Sequence, residues 1–323
     1  MIKRKLGAEG PELTRIGVGT WAVGGPYRFG WGPQGDDESV EAILHAIDSG
    51  INWIDTAAVY GLGHSEEVVG EALASVKQGG DVFVATKCGG FYRPELRKVE
   101  YDLRPESIRA ECEGSLKRLR AERIDLYQFH RPDDSTGTPV EESWGTMTEL
   151  IDEGKVRWAG VSNFDVGLLE RCEAIRHVDS CQPPLNMIKR SAADDVIPWC
   201  REHETGVIVY SPMASGLLTG KLERARVETL PEDDWRSRSP QFRDPELSKG
   251  LALVEGVRPI ARRLGVSMAE LAIAWTLAVP GVTAAIAGAR RPAQVDSWLS
   301  APGVALTEAD LAEIDGAIAQ AGV

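Results

Sequence analysis

The stretch Asn52-Trp-Ile-Asp-Thr-Ala-Ala-Val-Tyr-Gly61 holds a short apolar run that stops at Asp55, with Tyr60 five residues further on beside a glycine. The run is too short for a helix, and its ending in a carboxylate predicts a strand that opens on a polar region. A carboxylate at such a strand end reaches across a barrel mouth, and a tyrosine on the next loop turn points into the same mouth. The reading depends on whether the chain supplies the other strands.

It does. Comparable runs, rich in Val, Ile and aromatics, lie at Arg15–Gly19, Asn52–Ile54, Val82–Thr86, Ile124–Phe129, Val156–Gly160, around Ser180–Gln182, Val207–Tyr210 and Thr283–Ala287. Between them stand helical patterns. Asp37–Ser49 opens on Asp and ends before Gly50, and Ser65–Ser75 carries Glu66 and Glu67 in its first turn, which complements the helix dipole. Arg104–Arg120 has Pro105 at a first helical position, and Val140–Glu153, Asp165–His177, Asp194–Glu204, Lys249–Leu264, Ser267–Ala278, Pro292–Leu299 and Thr307–Gln320 follow. Strands alternating with helices to this count predict an α/β fold, a (β/α)8 TIM barrel with its active site at the C-terminal face of the strands. No Pro/Ser-rich break or composition shift divides the 323 residues, so 1–323 is read as a single barrel domain. Three βα connections are long: 22–36, 88–103 and 219–248. The last is charged and holds Trp235 and Phe242, which suits a loop that closes over a site.

Composition narrows the classes of function. The chain is 43% hydrophobic and 26% charged, as in soluble globular proteins, with no apolar run long enough to span a bilayer. No apolar region follows the basic start Met1-Ile-Lys-Arg-Lys5, so no signal peptide is read and a cytoplasmic, non-membrane protein is expected. A formal charge of −13 argues against nucleic acid as a partner. Cys88, Cys112, Cys172, Cys181 and Cys200 show no CxxC spacing, which suits reduced thiols and no metal site.

Chemistry collects immediately after the strands. Thr20 and Trp21 follow the first, Asp55 the second, Lys87 the third, His130 the fourth, and Ser162 with Asn163 the fifth. Gln182 closes the sixth, Tyr210 and Ser211 the seventh, and Gly288 to Arg290 the eighth. Singly, Asp55 would be a turn cap and His130 a structural hydrogen-bonder. Together at consecutive strand ends they share one barrel face. Asp55 and Lys87, on adjacent strands, suit a salt bridge. An ammonium beside Tyr60 would lower the phenol from about 10 toward a working value and make it an acid/base, with His130 orienting the same oxygen. The set holds no Ser–His pairing and no metal-ligand spacing. It suits proton transfer coupled to a hydride carried by something else. His45, His64, His177 and His203 fall in helical patterns and are read as structural.

The same residues resemble the aldo-keto reductase family. The resemblance rests on Ile16-Gly-Val-Gly-Thr-Trp21, Ile54-Asp-Thr-Ala-Ala-Val-Tyr-Gly61 with Ser65-Glu-Glu67, Ala85-Thr-Lys87 and Asp125-Leu-Tyr-Gln-Phe-His130. It continues through Gly160-Val-Ser-Asn-Phe164, Gln182, Tyr210-Ser-Pro-Met-Ala-Ser-Gly-Leu-Leu-Thr-Gly220 and Gly288-Ala-Arg-Arg-Pro-Ala-Gln294. It implies a barrel that binds NADP(H) without a Rossmann fold. It also implies a catalytic tetrad of Asp55, Tyr60, Lys87 and His130, and Ser162, Asn163 and Gln182 around the nicotinamide carboxamide. Tyr210 would stack on the nicotinamide, and Ser211, Met213, Gly216 and Leu218 would follow the pyrophosphate. Thr20, Trp21 and Gly288 fall in the matching segments and count among the cofactor-binding residues, and Gln294 is an adenosine contact. Arg290 and Arg291 open the last helix near the adenosine end, where guanidinium suits a 2′-phosphate, so NADPH (NADP+) is expected over NADH.

Three positions depart from the family's usual residues: Arg131 after the histidine, Trp298 where Asn is common near the adenine, and Leu185 for a common Tyr. The expected function is NADPH-dependent reduction of a small aldehyde or ketone to an alcohol, reversibly, with oligomeric state open. A sugar or polyol dehydrogenase working oxidatively is an alternative, supported by the polar rim Tyr27, Arg28, Gln34 and Arg131. A nucleotide-sensing potassium-channel β-subunit is a third. The family resemblance includes it, but a first barrel strand starting near Arg15 leaves no long N-terminal arm.

Overall fold

The computed structural model describes residues 1–27, 29–76 and 82–323. Its centre is a closed barrel of eight parallel strands. In chain order they are β1 (Ile16–Gly19), β2 (Trp53–Asp55), β3 (Phe83–Cys88), β4 (Ile124–Phe129), β5 (Val156–Ser162), β6 (Ser180–Gln182), β7 (Gly206–Val209) and β8 (Ala284–Gly288). Each strand pairs with its sequence neighbours, and β8 closes on β1 through Ala285–Ile16 to Gly288–Gly19. All eight expected strands are present, displaced by a residue or two at their ends.

Around the barrel run α1 (Asp36–Asp48), α2 (His64–Ser75), α3 (Pro105–Leu119), α4 (Val140–Asp152), α5 (Val166–Glu173) and α6 (Val196–Glu202). Then come α7 (Arg224–Glu228), α8 (Glu246–Leu264), α9 (Met268–Ala278), α10 (Pro292–Asp296) and α11 (Glu308–Ala321). Three helices are shorter than their sequence patterns by three residues or more: α5 ends at Glu173 rather than His177, α6 spans Val196–Glu202 rather than Asp194–Glu204, and α10 ends at Asp296 rather than Leu299. Full capping boxes start α9 at Ser267/Glu270 and α11 at Thr307/Asp310, satisfying the first free N–H groups of each.

Two hairpins were not expected. Lys3–Lys5 pairs with Glu12–Thr14, and within the 88–103 connection Gly90–Arg93 pairs with Lys98–Tyr101. The second corrects the reading of that stretch as an open loop.

Alternation along the strands explains the core and the site together. Successive strand residues face opposite sides. Ile54, Val84 and Tyr127 turn outward to the helix-facing core, while Trp53, Phe83, Ala85, Leu126, Trp158, Ile208 and Ile286 pack inside the barrel. On three strands one two-residue step converts the inner wall from apolar to polar, Trp53 to Asp55, Ala85 to Lys87 and Leu126 to Gln128, and on β6 Gln182 stands one such step above Ser180. The mouth is therefore built from the same face as the core.

The base is sealed. Leu6 and Leu13 of the N-terminal hairpin are fully buried in the inner cluster. Leu6 lies against Gly206, where an added Cβ would come within 2.3 Å of Leu6 Cδ1.

A second close approach fixes the central indole. Trp53 is fully buried and donates its indole N–H to Thr14 O at 2.8 Å. A Cβ on Gly17 would lie 2.1 Å from its ring. Gly17→Ala is therefore expected to cost about 1–3 kcal/mol or more through overpacking, read as a drop of several degrees in Tm. An unchanged melting curve would mean that Trp53 has room to move.

Candidate active site

At the mouth the second and third strands meet in an ion pair. Lys87 Nζ lies 2.5 Å from Asp55 Oδ1, and it also donates to Thr56 O at 2.9 Å. Both side chains are almost wholly buried. The other carboxylate oxygen of Asp55 accepts Gln182 Nε2 at 2.9 Å, which reaches across the barrel and also meets Gln128 Oε1 at 3.3 Å. Neither charge is left bare, as burial of a pair requires.

Tyr60 stands on a single 3-10 turn that follows β2, where Gly61 and Leu62 both adopt positive φ. The turn is pressed onto Gly24: a Cβ on Gly61 would meet Gly24 O at 2.0 Å, so only glycine fits. This places the phenol oxygen 3.5 Å from Lys87 Nζ. His130 lies edge-on to the Tyr60 ring, centroids 5.5 Å apart. Asn163 Nδ2 holds the His130 carbonyl at 2.9 Å. Both rings are half-buried and face one large cavity of about 990 Å³.

Electrostatics correct one expectation. Burial, and after it the Asp55 carboxylate, hold the Tyr60 phenol well above its usual range, so Lys87 does not draw it down. The reason is neutralisation: the ammonium is spent on Asp55 at 2.5 Å and is a full ångström further from the phenol. Burial likewise lowers Lys87 against the opposing pull of Asp55. Burial, then the charges of Lys87 and Arg131, push His130 well below the usual imidazole value, so the ring is neutral near pH 7.

The cavity extends from this group across the mouth. Its wall includes Thr20, Trp21, Ser162, Asn163, Gln182, Tyr210, Ser211, Met213, Gly216, Gly288, Arg290 and Gln294. Lys87 sits behind Tyr60, off the cavity wall, and Leu218 is a correction: it is buried in the core. Asn163 and Tyr210 are mutually fixed, the Tyr210 hydroxyl donating to Asn163 Oδ1 at 2.7 Å. Ser162 Oγ donates to Gln182 O at 2.8 Å. After β7 the backbone enters the left-handed region at Ser211, Ala214, Ser215 and Gly216 and folds back on itself, Ala214 N donating to Ser211 O at 2.9 Å and Gly216 N to Met213 O at 3.0 Å.

Two long loops meet above the cavity. Trp31 pairs with Asp234 in an isolated bridge, and Trp235 N donates to Gly30 O at 3.0 Å. Trp21 stacks on Trp235 at 5.1 Å and meets Trp31 edge-on at 5.4 Å. Arg290 bolts the same loop from the far side, donating to Gln34 Oε1 at 2.5 Å, to Trp31 O at 3.1 Å and to Pro33 O. The guanidinium expected to face a phosphate is thus turned onto loop carbonyls, and Arg291 pairs with Glu38 at 2.8 Å. Of the polar rim, Tyr27 and Arg131 line the cavity, Gln34 serves Arg290, and Arg28 lies outside the described residues.

Sequence reasoning missed several wall residues: Tyr101 and Lys98 from the unexpected hairpin, Trp31, and Lys221 in the lid. It also passed over Glu66, which is fully buried, accepts Thr86 Oγ1 at 2.5 Å and pairs with Arg118 at 2.7 Å. Of the remaining histidines, His45, His64 and His177 meet carboxylates and His203 stacks on Trp199.

The residues present suit a dinucleotide. The cleft is long, an aromatic ring at Tyr210 faces it, and the buried indole N–H groups of Trp31, Trp235 and Trp298 on its wall have no partner among the described residues. Among those residues no helix is long and apolar enough to cross a membrane.

A model of the Aldo/keto reductase family matches residues 15–319. The chain is 36% identical over 307 residues to the aldo-keto reductase YhdN of Bacillus subtilis (strain 168), covering 95% of this chain and 90% of that protein. Among solved structures, it is similar to the glycerol dehydrogenase AKR11B4 from Gluconobacter oxydans at 40% identity and a TM-score of 0.87, covering 98% and 95% of the two chains. It is also similar to the aldo-keto reductase AKR11C1 from Bacillus halodurans in its holo form, at 25% identity and a TM-score of 0.80, covering 98% and 96%.

Proposed function

This chain belongs to the aldo/keto reductase family of NAD(P)H-dependent oxidoreductases acting on carbonyls and alcohols, and from that we propose that it reduces an aldehyde or ketone with Tyr60 as proton donor. The observation that carries this reading is the buried series Asp55–Lys87–Tyr60, ending in a phenol that faces the cavity beside neutral His130. The phenol keeps its proton at working pH, which is the form an acid needs. His130, uncharged, donates a hydrogen bond to the substrate oxygen without competing for that proton. Lys87 steadies the phenolate as the proton leaves, and Asp55 holds Lys87 in place.

NADPH supplies the hydride when bound. Tyr210 offers a ring face for the nicotinamide, and Ser162, Asn163 and Gln182 offer amide and hydroxyl groups for its carboxamide. Thr20, Trp21, Ser211, Met213, Gly216, Gly288 and Gln294 complete the bed. Consumption of NADPH, followed at the nicotinamide absorbance with a panel of carbonyls and alcohols, tests the proposal. No turnover of any member would sink it.

A polyol dehydrogenase is the second reading, favoured by the 40% identity to a glycerol dehydrogenase. Higher kcat/KM for glycerol and other polyols than for the matching aldehydes would select it.

The preference for NADPH over NADH rests on Arg290 and Arg291 at the adenosine end, with Arg290 exchanging loop carbonyls for a phosphate. Arg290→Gln is expected to lower the NADPH/NADH ratio of kcat/KM by about tenfold, the worth of one charge-assisted hydrogen bond. Equal loss with both cofactors would assign Arg290 to the loop clamp alone.

A further inference from the structure

The chain carries a formal charge of −13, yet the cavity wall is cationic. It presents Lys98, Arg131, Lys221, Arg226, Arg236 and Arg290 against two acids, Asp55 and Asp134. Four of these cations stand elsewhere, Lys221, Arg226 and Arg236 on the 219–248 loop and Arg290 after the last strand, where a 2′-phosphate was assigned above. Asp55 is already matched by Lys87. Two cations remain on the wall shared by His130 and the Gly90–Tyr101 hairpin. Lys98 is matched by Glu100 at 2.9 Å. Arg131 has no acidic partner within ion-pair range among the described residues.

Arg131 is also placed to matter. Its guanidinium lies 5.8 Å from the centre of the Tyr101 ring, Tyr101 meets His130 edge-on at 6.3 Å, and His130 meets Tyr60 at 5.5 Å. Its positive charge bears on all three rings: burial, then Lys87 and Arg131, push His130 down, while burial raises Tyr101 and Tyr210 against the pull of Arg131. Asp134 shares the wall, where it takes a hydrogen bond from Ser135 Oγ at 3.0 Å.

We propose that Arg131 selects carbonyl substrates bearing an oxyanion, a carboxylate or a phosphate monoester, a few atoms from the reacting carbon; this rests on the assignment of Tyr60 as proton donor. A guanidinium held over an aromatic ring is pre-organised to take two oxygens of such a group side by side. Tyr101 offers that ring, 5.8 Å from the guanidinium carbon. An unpaired cation in a low-dielectric mouth also draws anions in from solution, against the negative charge of the molecule as a whole.

The test uses matched pairs: 4-oxobutanoate against butanal, and glyceraldehyde 3-phosphate against glyceraldehyde, each with NADPH. The native enzyme is expected to favour at least one anion by about tenfold in kcat/KM, chiefly through KM, and the preference should shrink with added salt. The pair that shows it identifies the oxyanion. Arg131→Gln should bring the ratio close to one, and Arg131→Lys should retain part of it. No preference in the native enzyme, or a preference that survives Arg131→Gln, overturns the inference while leaving the carbonyl reductase reading intact. Failure of all four compounds, together with the wider carbonyl panel, would count against that reading itself.

Discussion

Tyr60→Phe is expected to reduce kcat by about 10²–10⁴-fold, the range that a positioned general acid contributes, while cofactor affinity and Tm stay near those of the native chain. The change removes one oxygen. That oxygen's hydrogen-bond partner is Lys87 Nζ at 3.5 Å, a long contact, and Lys87 retains Asp55 and Thr56 O. The ring keeps its packing against His130 and Trp21. Steady-state rates with NADPH, alongside a fluorescence titration of the cofactor, separate the two effects. Turnover within threefold of native would place the proton donor elsewhere.

Lys87→Met is expected to act on stability and turnover together. It strips the cation from a carboxylate that is 3% exposed, leaving Asp55 with Gln182 as its one polar contact. Removing one partner of a buried pair costs about 3–5 kcal/mol, because the remaining charge stays desolvated. The distinguishing measurement is a double-variant cycle. Asp55→Asn with Lys87→Met should regain most of the lost stability, since both charges are gone, yet recover none of the activity. If the double variant melts as low as the single one, the cost lies in packing of the lysine stem rather than in the stranded charge.

The residues differ in how openly the sequence declares them. The barrel strands are legible as short apolar runs set between helical patterns, several of them closing on a polar residue of the inner face, as Trp53–Asp55 and Ala85–Lys87 do. The hairpins are not. Lys3–Lys5 is wholly exposed and basic, with no apolar alternation, and Lys98–Tyr101 alternates Val99 and Tyr101 with charged residues over four positions, too short a run to stand out from a loop. Lys87, Asp55, Tyr60 and His130 were expected to meet, because strand ends of a barrel converge. The electrostatic consequence was not legible, since it depends on distances: a salt bridge at 2.5 Å leaves little of the ammonium's field for a phenol at 3.5 Å. Arg290 shows the same limit. Its position at the last strand end follows from the sequence, but the direction of its guanidinium is set by carbonyls from a loop more than 250 residues away in the chain. Leu218, in the stretch after β7, turns inward, because its neighbours carry the left-handed bends.

The hairpin that closes the foot of the barrel has a bearing on the catalytic cycle. Leu6 and Leu13 cap the inner stack of Trp53, Phe83, Leu126 and Trp158, an apolar column in which the Ser180 hydroxyl is buried without a hydrogen-bond partner among the described residues, so it belongs to no relay that would carry a proton upward from solvent. A Tyr60 that has given up its proton must be recharged from the mouth side, the side through which substrate and product pass. Reloading of the acid is thereby coupled to ligand traffic. A solvent isotope effect on kcat that shrinks as viscosity slows product release, because exit then limits the cycle ahead of reloading, is the kinetic signature expected of a molecule with one door.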